Sequence, residues 1–387
     1  MFIQPFIRGT RRSLFLDDLG RIQRLSGTRV LKGIKQFFLS GAAEEDEDEG
    51  VPYIQYPLVT KEQMKKIAND NYKFEYACAS FAFHSNKSDP IISSLSELSD
   101  PTQLTSLLPR RRPHGSPIDT LSIKAGDDAM LVSPTILALA DGVSGWEDGK
   151  GHFSSGVWSR SMVETLSRLM TEYKISHAPY HLNKRDIYQI LDDTYLHTSH
   201  LMDLQNLEGS STLVFGMLSG KYLKMISIGD SKMYIIRDGE IIKSNAEQMV
   251  SSLCPQQIGT HSLSKIPSEI AWVDSVKLEL GDIIVMCSDG ISDNLYDWEI
   301  SHYVDTLLNL QRDNLREATN KLLIKAKEIA FDDNIGTPYS EQVNAYNAKK
   351  KRNKFVTGGK LDDMSLCIAK VVSNEKTSNK VDITRQS

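Results

Sequence analysis

Six aspartates in four short, glycine-flanked segments constrain this chain more than any other feature: Asp127 and Asp128 in AGDDAML, Asp141 in LALADGVSGW, Asp289 in VMCSDGISDN, and Asp362 and Asp363 in GGKLDDMSL. Each segment joins an apolar, strand-like run to a turn that can aim a carboxylate out of a sheet. Four such strand ends meeting on one rim make a cluster too negative to persist without cations. Hard oxygen ligands select Mg²⁺ or Mn²⁺ over zinc or copper, so the pattern points to a two-metal hydrolytic centre. Asp141 can bridge two cations while the unhindered Gly142 carbonyl offers a further oxygen. Any one Asp-Gly pair alone reads as a turn, and Asp238-Gly239, between SKMYIIR and EII, is read as one. The other segments gain meaning jointly, through their order and spacing.

Composition excludes several alternatives. The 387 residues include 45 Lys+Arg against 50 Asp+Glu, which gives no electrostatic case for a nucleic-acid partner. Cys78, Cys254, Cys287 and Cys367 form no C-x-x-C pair, so neither a zinc knuckle nor a secreted disulfide framework is indicated. Cys287 and Cys367 lie in apolar runs and read as small buried hydrophobes. No H-E-x-x-H zinc-hydrolase pair occurs. No uncharged apolar run approaches the ~18 residues of a membrane helix, so no transmembrane segment is expected.

The chain divides by charge. Residues 1–40 place Arg8, Arg11, Arg12, Arg21, Arg24, Arg29, Lys32 and Lys35 among apolar residues, against Asp17 and Asp18 only, in the manner of an organelle presequence. The acidic run EEDEDE, Glu44 to Glu49, then ends the basic segment. The expected layout is an N-terminal extension over 1–50, a catalytic domain over 51–373 with a surface insertion at 88–120 bearing Arg110, Arg111 and Arg112, and a polar tail over 374–387. A basic arm on a cytoplasmic protein is the alternative to a mitochondrial presequence. Periodicity predicts a strand in FEYACASFAF, strands in AMLV and TILALA, helices over Ser154–Lys174 and 184–204, and an antiparallel meander over 211–242. It further predicts a hairpin of VKLEL and DIIVMCS, helices over 296–310 and 314–331, a polar basic loop over 332–360, and a closing strand in MSLCIAKVV. Strands and helices in separate blocks indicate an α+β sandwich.

Taken in order, GDDA, ADGVSGW, GSSTLVF, IGDSKMYIIRDGE, LGDIIVMCSDGISDN and GGKLDDMS resemble the metal-dependent PPM, or type-2C, Ser/Thr protein phosphatases, and particularly the mitochondrial branch found in fungi and animals. The resemblance covers about residues 70–372. It implies a four-layer αββα sandwich, two antiparallel sheets flanked by helices, with a binuclear Mg²⁺/Mn²⁺ site in a cleft at one end. By position it implies Asp141 as the bridging ligand, Gly142 as a backbone-carbonyl ligand, and Asp289 and Asp362 as the remaining ligands of one metal. Asp127, supported by Asp128, would serve the second metal, and Asp230 with Asp293 a weaker third. The implied reaction is in-line hydrolysis of phosphoserine or phosphothreonine on a protein substrate by a metal-bridging hydroxide, with no phosphoenzyme; a monomer is the expected working unit.

Two positions depart from that pattern. Val143 stands where members carry a histidine proposed as general acid, and Ile123 where they carry the phosphate-binding arginine. Lys124 is the neighbouring cation available as a clamp, with a solvated strand-edge lysine as the alternative. These losses leave open a second reading, a catalytically weak or silent module that keeps the fold as an interaction surface. Gly209-Ser210-Ser211-Thr212 is read as the start of a core strand rather than a nucleophile segment. Trp146 and Trp158 are read as packing anchors.

Overall fold

The computed structural model describes residues 60, 62, 63, 71–85, 90–94, 120–143, 153–177, 182–260, 265–310 and 314–374. All lie in one compact unit, Ile54–Ser387. The basic segment, the EEDEDE run, the arginine triplet, Trp146 and all but the first residue of the polar tail lie outside the described residues.

The elements alternate between two sheets. Strands β1 (Tyr72–Ser85) and β2 (Pro90–Ser94) are followed by a meander of β3 (Leu121–Ala125), β4 (Asp128–Val132) and β5 (Ile136–Ala140). Helices α1 (Ser155–Ser176) and α2 (Lys184–Leu204) come next. Then come β6 (Ser210–Ser211), β7 (Leu213–Ser219), β8 (Tyr222–Ile228), β9 (Lys232–Arg237), β10 (Glu240–Ser244), β11 (Met249–Ser251), β12 (Cys254–Pro255) and β13 (Ile258–Gly259). The short α3 (Pro267–Ile270) leads to β14 (Trp272–Lys277), β15 (Ile283–Cys287), α4 (Asp289–Ser292), α5 (Asp297–Leu310), α6 (Leu315–Ala330), α7 (Pro338–Lys349) and the closing strand β16 (Met364–Ser373). One sheet runs β10-β9-β15-β16-β1-β2 and the other β14-β8-β7-β5-β4-β3, with every pairing antiparallel.

Alternation along each strand builds three apolar layers. From β5, Leu137 and Leu139 face the other sheet, where they join Ile284 and Met286 of β15 and Cys367 and Ala369 of β16. The opposite faces are covered by helices. Ala138 and Phe215 pack with Leu166 and Met170 of α1 and Leu191 of α2, while Val285 and Ile368 pack with Val304 of α5 and Leu322 and Ala326 of α6. Because both faces of both sheets are buried, the central strands read as unbroken apolar runs rather than alternating ones. This is the four-layer αββα architecture. Cys287, Cys367 and Trp158 are buried packing residues, as expected from the sequence.

Three details differ from the sequence-based expectations. The run VKLEL–DIIVMCS is not a hairpin: β14 pairs with β8 and β15 with β9 and β16, so the chain crosses between sheets at Gly281. The meander over 211–242 likewise divides at Gly229 and Asp230, leaving a β7–β8 hairpin in one sheet and a β9–β10 hairpin in the other. Turn residues reveal where a strand ends but not which sheet the next one joins. The stretch 332–360 is not all loop, since Thr337 and Ser340 form a reciprocal capping box with Pro338 in the first turn and start α7. Only Ser340 and Asn347 of α7 are buried, so it carries no apolar stripe for periodicity to detect. The Asp238-Gly239 turn is as read, with both residues at positive φ, 52° and 80°, between β9 and β10.

Phe215 lies wholly buried beneath α1 and α2. Phe215→Ala should cost about 3–5 kcal/mol, seen as a lower urea midpoint at unchanged slope. A variant that keeps the wild-type midpoint would mean that the helix layer does not depend on this contact.

Candidate active site

The carboxylates gather where strand ends of the two sheets face each other. Asp127 occupies the β3–β4 turn and Asp128 opens β4, Asp141 and Gly142 leave β5, and Asp230 lies in the β8–β9 turn. Asp289 begins α4, Asp293 follows one turn later, and Asp362 and Asp363 lead into β16. The structure therefore brings together every acidic position that the sequence nominated.

Local hydrogen bonds fix the backbone around them. Thr212 clasps Asp141: its hydroxyl accepts from the Asp141 N–H at 3.2 Å, and its own N–H donates to the Asp141 carbonyl at 2.9 Å. Gly142 bridges to Ser211. The GSST segment thus holds the Asp141 loop, a role its sequence did not reveal. A Cβ on Gly142 would come within 2.5 Å of the Asp127 carbonyl, so only glycine lets these two loops touch. Asp127 Oδ1 accepts from the Gly156 N–H at 3.1 Å. It supplies the cap that Ser154, with no side-chain cap bond, does not give α1.

Asp363 is a positioning residue. Its two oxygens accept from the Phe83 and Asp127 N–H groups, each at 2.7 Å, tying β1 and the β3–β4 turn to the lead of β16. Gly126 permits this approach, because a Cβ there would meet the Asp363 carboxylate at 2.0 Å.

Asn294 stitches α4 to the 358–360 segment. Its amide donates to the Gly290 and Lys360 carbonyls at 2.8 and 2.9 Å, and its carbonyl accepts from the Lys360 N–H at 2.8 Å.

Loss of hydration and mutual repulsion raise the acids. Burial, then Asp289, Asp128, Asp362 and Asp230, push Asp141 well above the usual carboxylate range. Burial raises Asp128 too, with Asp363 and Asp362 adding to it. Asp230 is pushed up to about 8, by burial and then Asp289, with Lys360 opposing. Burial likewise lifts Asp293 to about 6 against the pull of Lys360.

Lys360 is the functional residue that the sequence reading missed. Its ammonium meets Asp289, Asp293 at 2.9 Å and Asp362 at 3.0 Å. Burial works against its charge, but the three carboxylates outweigh burial and hold it protonated. A usable signal was present, since a cluster of inward-facing acids demands a cation and GGKLDD supplies one beside Asp362. Lys124 stands elsewhere, with its ammonium and Asp127 Oδ1 crowding the same side of Gly156. Ile123 is sealed between the sheets, where it cannot reach a phosphate.

The cluster's chemistry suits hard cations. Both oxygens of Asp128, Oδ1 of Asp230 and Oδ1 of Asp289 are buried without hydrogen-bond partners, an arrangement costly unless something positive completes it. Among the described residues no three acidic, histidine or cysteine side chains already stand at the spacing of one ion's shell. Three of the carboxylates close on Lys360 instead.

The sequence profile of protein phosphatase 2C matches residues 123–323, more than half of the chain. This chain belongs to the protein phosphatase 2C family. It is 30% identical over 260 residues to the probable protein phosphatase 2C 26 of Arabidopsis thaliana, covering 65% of this chain and 80% of that one. It is 29% identical over 262 residues to the human protein phosphatase PTC7 homolog, covering 63% and 79%. Among solved structures, the photosystem II phosphatase PBCP superposes with a TM-score of 0.52 at 26% identity, covering 63% of this chain and 91% of that one. Membership makes the protein a metal-dependent Ser/Thr protein phosphatase of the PPM type.

Asp363→Ala should leave two half-buried N–H groups without their acceptors and cost about 1 kcal/mol for each, the lower end of the penalty for a buried donor, lowering the urea midpoint. Wild-type stability in that variant would remove Asp363 from its positioning role.

Proposed function

We propose that this phosphatase holds two Mg²⁺ or Mn²⁺ ions at the carboxylate rim, and that Asp141, Asp289 and Asp362 are the residues on which hydrolysis depends. The observation that carries this reading is the set of buried, partnerless carboxylate oxygens on Asp128, Asp230 and Asp289 facing Asp141. Asp141, the Gly142 carbonyl, Asp289 and Asp362 would hold one ion, and Asp141 with Asp127 and Asp128 the second. Asp230 and Asp293 flank a third, weaker cation position. Bound there, such ions lower the pKa of water and polarise a phosphoryl oxygen.

The chain's own residues do the rest. Thr212, Asp363 and Asn294 fix the loops that present the carboxylates. Lys124, on β3 beside Asp127, is the cation that would orient a phosphate. A covalent route through the protein is disfavoured by burial. Ser211 is sealed in the core, Ser210 donates to Gln257 at 2.7 Å, and the Cys287 thiol is pushed far up by burial. Direct attack by water on phosphoserine or phosphothreonine is the reading that remains. The retained carboxylates favour this over a silent interaction module.

Chelation with EDTA should abolish hydrolysis of a phosphothreonine peptide, and added Mn²⁺ or Mg²⁺ should restore it. Asp141→Asn and Asp289→Asn should each lower kcat at least about 100-fold, the upper end of what losing even an outer-shell partner costs, with the circular dichroism of the fold retained. Activity that survives chelation, or near-normal turnover in both variants, would refute the assignment.

We further propose the domain layout read from charge: a presequence within 1–50, the catalytic domain over 51–373 and a short polar tail, with the enzyme working in mitochondria. The support is the cationic segment with Phe15, Leu19 and Ile22 on one helical face. Among the described residues no helix is long and apolar enough to cross a membrane. A fusion of residues 1–50 to a fluorescent reporter should colocalise with a mitochondrial marker and be released by Arg11→Glu with Arg12→Glu. A diffuse signal from the unmutated fusion would exclude the targeting role.

A further inference from the structure

The chain leaves the carboxylate rim and returns to it through one surface arm. Helix α7 starts against the rim, where the Tyr339 N–H donates to the Asp293 carbonyl at 3.0 Å, and the chain comes back at Lys360, beside Asp362. Ser340 and Asn347 are the buried residues of α7, so the helix lies on the surface. Its 12 residues span ~18 Å, which puts its far end within ~20 Å of Asp293.

That far end concentrates positive charge. Lys349, Lys350, Lys351, Arg352 and Lys354 are all exposed, and Phe355 beside them is 80% exposed. Among the described residues no carboxylate pairs with any of the five. Other surface helices neutralise their cations one turn away, as Arg160 with Glu164, Arg168 with Glu172 and Lys321 with Glu317 do. The single acid of α7, Glu341, sits at its opposite end and accepts from the Tyr296 hydroxyl. Unpaired charge of one sign on a chain that is net negative is a surface for an anionic partner.

The tip is folded rather than loose. Asn347 donates to the Lys354 carbonyl at 3.0 Å, and its own backbone carbonyl accepts from the Arg352 N–H at 2.9 Å. Asn344 holds the N–H and the carbonyl of Val356 at 2.8 and 2.7 Å, and the Thr337 hydroxyl donates to the Gly358 carbonyl at 2.9 Å. Lys350 and Arg352 both lie over the Tyr346 ring, 5.9 and 5.6 Å from its centroid. The cations are therefore presented from a fixed backbone, which lowers the ordering cost of binding.

We propose that α7 and its basic tip are a substrate-docking arm, which selects phosphoproteins carrying an acidic segment about six residues from the phosphorylated side chain. The spacing follows from the span of the helix, since an extended peptide covers ~3.3 Å per residue. The proposal rests on reading the rim as the place of hydrolysis, because both ends of the arm are anchored there. Phe355 offers such a peptide an apolar contact next to the charges.

The test compares two phosphothreonine peptides that differ only in an Asp/Glu run or a Ser/Gly run about six residues from the phosphothreonine. Wild type should show a KM about 10-fold lower for the acidic peptide, as three exposed ion pairs give, and the advantage should fade as salt is added. Lys351→Gln with Arg352→Gln and Lys354→Gln should remove the advantage with kcat unchanged on both peptides. Equal KM values in wild type would overturn the proposal whether or not the triple variant folds, and so would an advantage that survives in a folded variant. Capture of wild type, but not the variant, by vesicles of anionic phospholipid with equal peptide KM values would make the patch a membrane contact and refute the docking arm. Peptide binding is followed separately by fluorescence anisotropy in EDTA. Tighter binding of the acidic peptide there, with neither peptide hydrolysed in Mn²⁺, would keep the arm and remove the catalytic reading of the rim; equal binding of both peptides with neither hydrolysed would remove both.

Discussion

Negative charge removed from water has to be neutralised where it sits, and this requirement organises one end of the molecule. Asp128, Asp141, Asp230, Asp289, Asp293 and Asp362 repel one another across the rim, and burial strengthens the repulsion. Lys360 answers part of it from within the chain. The remainder defines what the site must take from solution, which is why a carboxylate rim that would destabilise a purely structural protein suits a metal-dependent phosphatase. Stability and catalysis draw on the same charges with opposite signs.

The rim exists only because two sheets are held face to face. Asp128 and Asp141 belong to strands of one sheet, while Asp289 and Asp362 adjoin β15 and β16 of the other. Stacked sheets lie ~10 Å apart, within the combined reach of side chains from both. The layer of Leu137, Leu139, Ile284, Met286 and Cys367 therefore sets the distance across which the carboxylates cooperate. Asp363 adds a direct tie, bonding the turn of one sheet from the lead of a strand in the other.

The departures from the family pattern find a physical setting in this arrangement. Ile123 belongs to the inter-sheet core, so restoring an arginine there would place a charge among apolar side chains. Positive charge is instead carried by two lysines with separate surroundings, Lys124 against Gly156 beside Asp127, and Lys360 among the acids of the opposite sheet.

Much was legible without coordinates. The order of the aspartate segments, the spans of α2 and α6, the apolar strand runs and the burial of Cys287 and Cys367 all follow from local chemistry: turn residues, period and hydrophobicity act within a few positions of themselves. The carboxylate set could be nominated because each acid sits at a strand end. The sheet that each strand joins at Gly229 and Gly281, the clasp of Thr212 on Asp141, the two hydrogen bonds that Asp363 accepts and the seat of Lys360 were decided only by the tertiary structure. Each of these joins residues up to 280 positions apart or depends on which side of a sandwich a strand is laid, and no local pattern encodes such a choice.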